Sequence, residues 1–131
     1  MVKLKNTLVK GNRSQAEQIL IDLLRFKFKK LKILPNDKSA IKRELDVYLP
    51  DYKIAIEIDG ICHWKAIYGE ETLAKVQIRD KKKSKLCEDA GITLFRITLP
   101  DDSRAYFTHI KKELTEVIAP AISEIISRQT D

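Results

Sequence analysis

The sequence predicts an α/β fold in which helices flank a mixed four-stranded sheet, with the elements in the order αβββαβα. Three observations support this prediction. A capping box at Ser14 opens an apolar stripe with helical spacing. Two short runs of alternating apolar and polar residues meet at a Pro-Asp turn at Pro50. A long polar helix then separates these strands from a last apolar strand around Phe95.

The bounds of the elements follow from hydrophobic periodicity and from turn residues. We expect the first helix to begin near Ser14. The apolar positions within residues 26–34 should lead into a first strand, which should end at a turn signal at residues 35–37. The other strands are expected at about residues 41–49, 52–59 and 92–97, and the second helix at about residues 70–89. Pro120 should kink or interrupt the last helix, because proline lacks the N–H of a helix interior.

The length of 131 residues fits one domain. Within it we expect residues 1–12 to form a flexible basic arm, 14–99 the catalytic core and 103–128 a C-terminal helical segment. No apolar run approaches the length of a membrane span, and the first residues lack the apolar core of a secretion signal. Cys62 and Cys87 form no disulfide framework, so the cytosol is the expected compartment.

The chain is basic, with 25 lysines and arginines against 19 acidic residues and a formal net charge of +6. This excess favours a polyanionic partner, although ordinary solubility charge is an equal alternative. Clustering shifts the balance toward a partner. One cluster contains Lys27, Lys29, Lys30 and Lys32, and a second contains Lys81, Lys82, Lys83 and Lys85.

Carboxylates stand in two neighbouring predicted strands where apolar residues are usual. If the strands pair as a hairpin, Asp46 and Glu57 can approach each other. Two ionised carboxylates repel and are costly when partly buried, and a hard cation between them relieves that cost. Asp46 is therefore a candidate metal ligand, with an exposed polar residue on an amphipathic strand as the alternative. Glu57 interrupts an apolar run typical of a buried central strand, which makes it a second ligand, bound directly or through water.

Two further polar residues are placed where chemistry would need them. His63 follows the second acidic strand within one short loop, with a loop histidine packed by Trp64 as the alternative. Asp80 falls on the inward face of its helix, on the rhythm set by Leu73 and Val76, where an apolar residue would be expected. It would orient His63 or form a structural salt bridge.

Together these residues resemble the site of the PD-(D/E)XK nuclease superfamily, and most closely that of its very-short-patch-repair-like endonucleases and of the homing endonucleases with an EDxHD site. The resemblance covers about residues 14–99 and rests on five polar residues: Glu17, Asp46, Glu57, His63 and Asp80. It implies a restriction-endonuclease-like core and metal-dependent cleavage of DNA. Asp59 stands where the wider superfamily has lysine, and the resemblance leaves its role open.

The resemblance also implies a role for each residue. The expected ligands of Mg²⁺, or alternatively Mn²⁺, are Asp46, Glu57 and the backbone carbonyl of Ile58. His63 would orient or deprotonate the attacking water, because imidazole titrates near neutral pH, and Asp80 would lie behind it. Glu17 would face the metal or its waters in addition to its place in the capping box.

The expected function is that of a magnesium-dependent endodeoxyribonuclease in the cytoplasm of a bacterial or phage-infected cell, acting as a homodimer or with a separate specificity subunit. Lysines would hold the DNA backbone without reading sequence: Lys81, Lys82, Lys83 and Lys85. Two alternatives stay open, a non-cleaving nucleic-acid-binding module of the same fold and a nuclease of structured RNA. A zinc site is disfavoured because the cysteines and histidines lack paired ligand spacing: Cys62, His63, Cys87 and His109.

Overall fold

The computed structural model describes residues 14–129, so the predicted basic arm at residues 1–12 lies outside the described residues. The helices are α1 (Gln15–Lys27), α2 (Glu70–Asp89), α3 (Tyr106–Glu113) and α4 (Ala119–Gln129). The strands are β1 (Leu34–Asp37), β2 (Leu45–Leu49), β3 (Ile54–Asp59) and β4 (Thr93–Thr98). Short 3₁₀ helices cover Ile61–His63 and Ser103–Ala105.

The four strands form one mixed sheet in the order β1-β2-β3-β4. The first three strands are antiparallel neighbours, and β4 pairs with β3 in parallel. A parallel neighbour requires a crossover connection, and α2 supplies it. The prediction of an α/β fold with a mixed four-stranded sheet flanked by helices is therefore confirmed.

Each face of the sheet carries its own apolar layer. On one face, α1, α3 and α4 bury residues such as Leu20, Ile110 and Ile122 against Val47 and Ile56 of the sheet. On the other face, a smaller layer contains Tyr48, Ala55, Cys87 of α2 and Ile92. Because side chains alternate along a strand, β3 presents Ala55, Glu57 and Asp59 to the α2 face. This smaller layer leaves room for charged groups between α2 and the sheet.

One local prediction was wrong, because residues 35–37 belong to β1 and are not a turn. Pro35 pairs with Val47, and Asp37 pairs with Leu45. Proline is tolerated in an edge strand, since one side of such a strand has no partner to receive an N–H. The turn follows at residues 39–41, where the Asp37 carboxylate accepts hydrogen bonds from the backbone N–H groups of Ser39 and Ala40.

The C-terminal helical segment is interrupted near Pro120, as predicted. A π-helical turn spans Leu114–Ile118 and separates α3 from α4. Pro120 has no N–H to donate to the preceding turn, and a π turn is a common way to absorb such a break in helical bonding. None of the helices within residues 14–129 combines the length and the apolar character needed to cross a membrane.

Candidate active site

The structure brings together the two carboxylates that the sequence predicted to approach each other. The ladder between β2 and β3 ends at the pair Val47 and Ile56, and beyond it side chains take over from backbone partners. The N–H of Asp46 donates to Oε2 of Glu57 at 2.7 Å, and the N–H of Ile58 donates to Oδ2 of Asp46 at 2.8 Å. We refer to Asp46 and Glu57 as the acidic pair.

Lys83 supplies the positive charge beside the acidic pair. Glu57 is only 4% exposed, and its Oε1 forms an ion pair of 2.7 Å with Nζ of Lys83. Burial, together with the charge of Glu57, raises the pKa of Asp46 to about 8, although the hydrogen bond from Ile58 acts in the opposite direction. Burial and the neighbouring carboxylate therefore favour the protonated form of Asp46, even though Lys83 lies close by.

A second group of charges surrounds His63. Its Nδ1 lies 2.9 Å from Oδ2 of Asp80 and 3.7 Å from Oδ1 of Asp59. Arg96 donates from Nη1 to Asp59 at 3.3 Å, and from Nη2 to the backbone carbonyl of Asp80 at 3.0 Å and to Oγ of Ser84 at 3.1 Å. We refer to Asp59, His63, Asp80 and Arg96 as the histidine cluster.

The hydrogen bond to Asp80 selects the form of the His63 ring that is useful for catalysis. A carboxylate accepts hydrogen bonds, so Nδ1 carries the proton and Nε2 is the basic nitrogen of the neutral ring. The histidine thus has the arrangement of a general base backed by a carboxylate. Arg96 supports this arrangement, because it donates hydrogen bonds both to Asp59 at the end of β3 and to the backbone carbonyl of Asp80 in α2.

The two groups are neighbours because β3 and α2 each contribute a residue beside both of them. β3 supplies Glu57 and Asp59, which are two residues apart and share a face. α2 supplies Asp80 and Lys83, which are three residues apart and therefore adjacent on a helix surface. A cavity of about 310 Å³ opens beside them, and its lining includes His63, Asp80 and Lys83.

Glu17 takes part in the helix cap, while a place facing the metal or its waters stays a prediction. Its backbone N–H donates to Oγ of Ser14 at 3.1 Å, which forms the helix cap. Its carboxylate turns away from the cap and accepts a hydrogen bond of 3.3 Å from the side chain of Asn36. The negative charge of Glu17 also contributes to raising the pKa of Asp46, so Glu17 lies close enough to influence the acidic pair.

The second lysine cluster divides into inward and outward members. Lys81 and Lys82 are exposed, and exposed Lys85 pairs with Asp89 at 3.2 Å. Lys83 instead lies against Glu57, because helical spacing places it on the side of Asp80. DNA contact by these lysines stays a prediction, and for Lys83 the contact would have to be made from inside the cavity.

Sequence reasoning missed Arg96 altogether. Arg96 lies within the apolar strand β4, in parallel register with Glu57 of β3. The available signal was a charged residue in an otherwise apolar strand, which requires a partner just as Glu57 does. Its partner is Asp59, the residue whose role the resemblance leaves open.

Two sets of residues could hold a cation. Ligand atoms of Asp59, His63 and Asp80 lie within 4.8 Å of one another, but the Arg96 guanidinium already supplies positive charge to that group. In the acidic pair, Oδ1 of Asp46 accepts no hydrogen bond from residues 14–129. Carboxylate oxygens that lack positive charge suit a hard divalent cation. Asp46 therefore offers an open carboxylate oxygen to such a cation, while Lys83 supplies one positive charge to the pair. The acidic pair as the metal site, with the Ile58 carbonyl as a ligand, stays a prediction.

Comparison with known proteins gives little further information. No family model matches the chain, and no solved structure matches it. The chain is 28% identical over 74 residues to the uncharacterized protein 307L of Invertebrate iridescent virus 6. The aligned region covers 53% of this chain and 38% of the viral protein, so the chain spans less than half of that relative. This likeness assigns neither a family nor an activity.

Proposed function

We propose that the protein is a metal-dependent endodeoxyribonuclease that hydrolyses phosphodiester bonds in DNA, and that its sheet and flanking helices form a restriction-endonuclease-like core. The observation that carries this proposal is the acidic pair lying beside a histidine that a carboxylate orients. The net charge of +6 and the resemblance of the site residues to PD-(D/E)XK nucleases support it.

The acidic pair is the part of the site suited to holding Mg²⁺ or Mn²⁺. Such an ion, when bound, stabilises charge on the phosphate and lowers the pKa of a coordinated water. Asp46 must release its proton before it can act as a ligand, because its pKa is about 8 in the metal-free protein. Glu57 keeps its ion pair with Lys83, which limits the negative charge that the pair presents.

The histidine cluster is suited to moving a proton. Nε2 of His63 takes a proton from the attacking water, while Nδ1–H stays bonded to Asp80. The Asp80 carboxylate stabilises the imidazolium that results. Arg96 and Asp59 are positioning residues, because they hold the backbone of Asp80 and the end of β3 in place.

A cleavage assay on supercoiled plasmid beside a structured RNA tests the proposal. We expect the protein to nick or linearise the plasmid in Mg²⁺ and to leave it intact in EDTA. An Asp46→Asn variant, purified identically, is the control for a contaminating nuclease and should be inactive. Cleavage of the RNA alone would show a ribonuclease, and binding of DNA without cleavage in any divalent ion would show a non-cleaving module.

A further inference from the structure

The cavity beside the histidine cluster is lined by three separate parts of the chain. Arg43 precedes β2, His63 lies in the short helix after β3, and Arg79 lies on α2 next to Asp80. The volume of about 310 Å³ is at the lower end of the roughly 300–1,000 Å³ typical of ligand-binding cavities. A phosphate and part of a sugar would fill such a space.

Arg43 and Arg79 differ from the other cations of this cavity because neither forms an ion pair or a hydrogen bond within residues 14–129. Elsewhere, Arg96 and Arg104 lie within 3.3 Å of a carboxylate oxygen. Both Arg43 and Arg79 are exposed. A guanidinium presents five N–H donors in a planar fork that matches the geometry of phosphate oxygens. The cavity therefore carries two such forks without an acceptor.

The charge of the lining indicates what kind of acceptor fits. Its charged residues, with His63 neutral, are three cations and two carboxylates, a net charge of +1: Arg43, Arg79, Lys83, Glu44 and Asp80. All except the two arginines already have partners, which are Asn36 for Glu44, His63 for Asp80 and Glu57 for Lys83. Because Glu57 neutralises Lys83, the cations of the lining that are open to a ligand are Arg43 and Arg79. A phosphodiester group offers them acceptor oxygens and one negative charge, whereas a terminal phosphate carries nearly two charges and would be repelled more strongly by Glu44 and Asp80.

We propose that Arg43 and Arg79 form a phosphate clamp that binds one phosphodiester of a nucleic-acid strand beside His63. The identity of the ligand rests on the proposed function, because the cavity itself specifies only the charge and the acceptor geometry. The clamp positions the strand through its backbone and reads no bases. It gives the site a substrate contact that is independent of the exposed lysines of α2.

Fluorescence anisotropy of a labelled DNA duplex, measured in Ca²⁺ over a range of salt concentrations, tests the clamp without turnover. For Arg43→Gln/Arg79→Gln we expect affinity to fall about tenfold or more, and the slope of log K against log salt to flatten by about 0.9, because the two arginines neutralise one phosphate. Arg79→Lys keeps the charge but loses the fork, so it should show an intermediate loss.

The matched control is Arg25→Gln/Arg128→Gln, which removes two exposed arginines from α1 and α4 on the opposite face of the sheet. It should change affinity less than about twofold. Equal losses in both double variants, or an unchanged salt slope in the first, would overturn the clamp. Tighter binding of a mononucleotide 5′-phosphate than of DNA would overturn the choice of a phosphodiester. Circular dichroism and melting curves check that each variant is folded.

The outcome is distinguishable from that of the proposed function. A parent protein that binds DNA through Arg43 and Arg79 but never cuts plasmid would reject hydrolysis and support the clamp. A parent protein that cuts plasmid while the double variant binds as tightly as the parent would reject the clamp and support hydrolysis.

Discussion

The acidic pair and the histidine cluster each contain two carboxylates on the same side of the sheet, yet they are satisfied in different ways. In the acidic pair, backbone N–H groups and Lys83 supply the contacts, and the pKa of Asp46 still rises to about 8. In the histidine cluster, the Arg96 guanidinium lies against both carboxylates, and the His63 ring donates a hydrogen bond to Asp80. The first group leaves one carboxylate oxygen of Asp46 without a hydrogen-bond donor from residues 14–129, whereas the second is organised to fix the orientation of a ring.

The largest effect on cleavage should come from removing the carboxylate of Asp46. We expect Asp46→Ala to reduce plasmid nicking in Mg²⁺ to background, because the metal loses a ligand on which the chemistry depends. Binding of DNA in Ca²⁺ should stay close to that of the parent. Asp51→Ala, at an exposed carboxylate outside the site, is the control and should keep full activity. Full nicking by Asp46→Ala would mean that the acidic pair is not the metal site.

Substitutions in the histidine cluster should change the rate of cleavage without changing the affinity for metal. We expect His63→Gln to slow single-turnover cleavage by roughly 10²–10⁴, the usual contribution of a general base. Asp80→Asn should cause a smaller loss, because it disturbs the ring without removing it. Calorimetric titration with Mn²⁺ should give the parent affinity for both variants. A large loss of metal affinity in both would reverse the comparison and make Asp59, His63 and Asp80 the metal ligands.

The raised pKa of Asp46 makes metal binding depend on pH. Below about pH 8 the ion has to displace the proton of Asp46, so apparent affinity for Mg²⁺ should rise up to tenfold per pH unit toward pH 8 and level off above it. Calorimetry in buffers of different ionisation enthalpy counts the protons released. Asp46→Asn should bind weakly at every pH, while His63→Gln should keep the pH dependence. A flat affinity between pH 6 and pH 9 would contradict the assignment.

The smallest expected effect concerns stability without metal. The pKa of Asp46 is higher in the folded protein than its ordinary 3.8, so the folded state retains a proton that the unfolded chain releases. This group therefore lowers the free energy of unfolding progressively from about pH 4 to about pH 8. Asp46→Asn removes that penalty, and we expect its melting temperature in EDTA at pH 8 to be about 4 °C higher, equivalent to roughly 1 kcal/mol.

The same melting experiment has its own controls. At pH 3 the gain from Asp46→Asn should almost vanish, because the carboxyl is largely protonated in both states there. Glu57→Gln should be destabilising instead, since it breaks a buried ion pair with Lys83. A lower melting temperature for Asp46→Asn at pH 8 would show that Asp46 serves mainly as a structural acceptor for the N–H of Ile58.

Sequence patterns predicted those parts of the site that depend on one element at a time. Alternation placed Asp46 and Glu57 where they could meet, and helical spacing turned Asp80 inward. The partners of Lys83 and Arg96 were not predictable in this way, because they depend on how β3, β4 and α2 are aligned. Alternation and helical spacing fix which face a residue occupies, but not which residue of a neighbouring element lies opposite it. For the same reason, local turn chemistry misassigned residues 35–37, which pair with β2 at the sheet edge.

The two faces of the sheet are covered by different parts of the chain. Apart from Glu17, every charged group of the site and of the proposed clamp comes from the uninterrupted stretch of residues 43–96. The opposite layer is contributed by helices that precede and follow that stretch. Fusions, loop insertions or sequence drift in those outer helices can therefore reshape the surface or tune stability while the reactive groups keep their spacing. Changes on the face covered by the outer helices can therefore create new recognition surfaces without altering the charged residues of the other face.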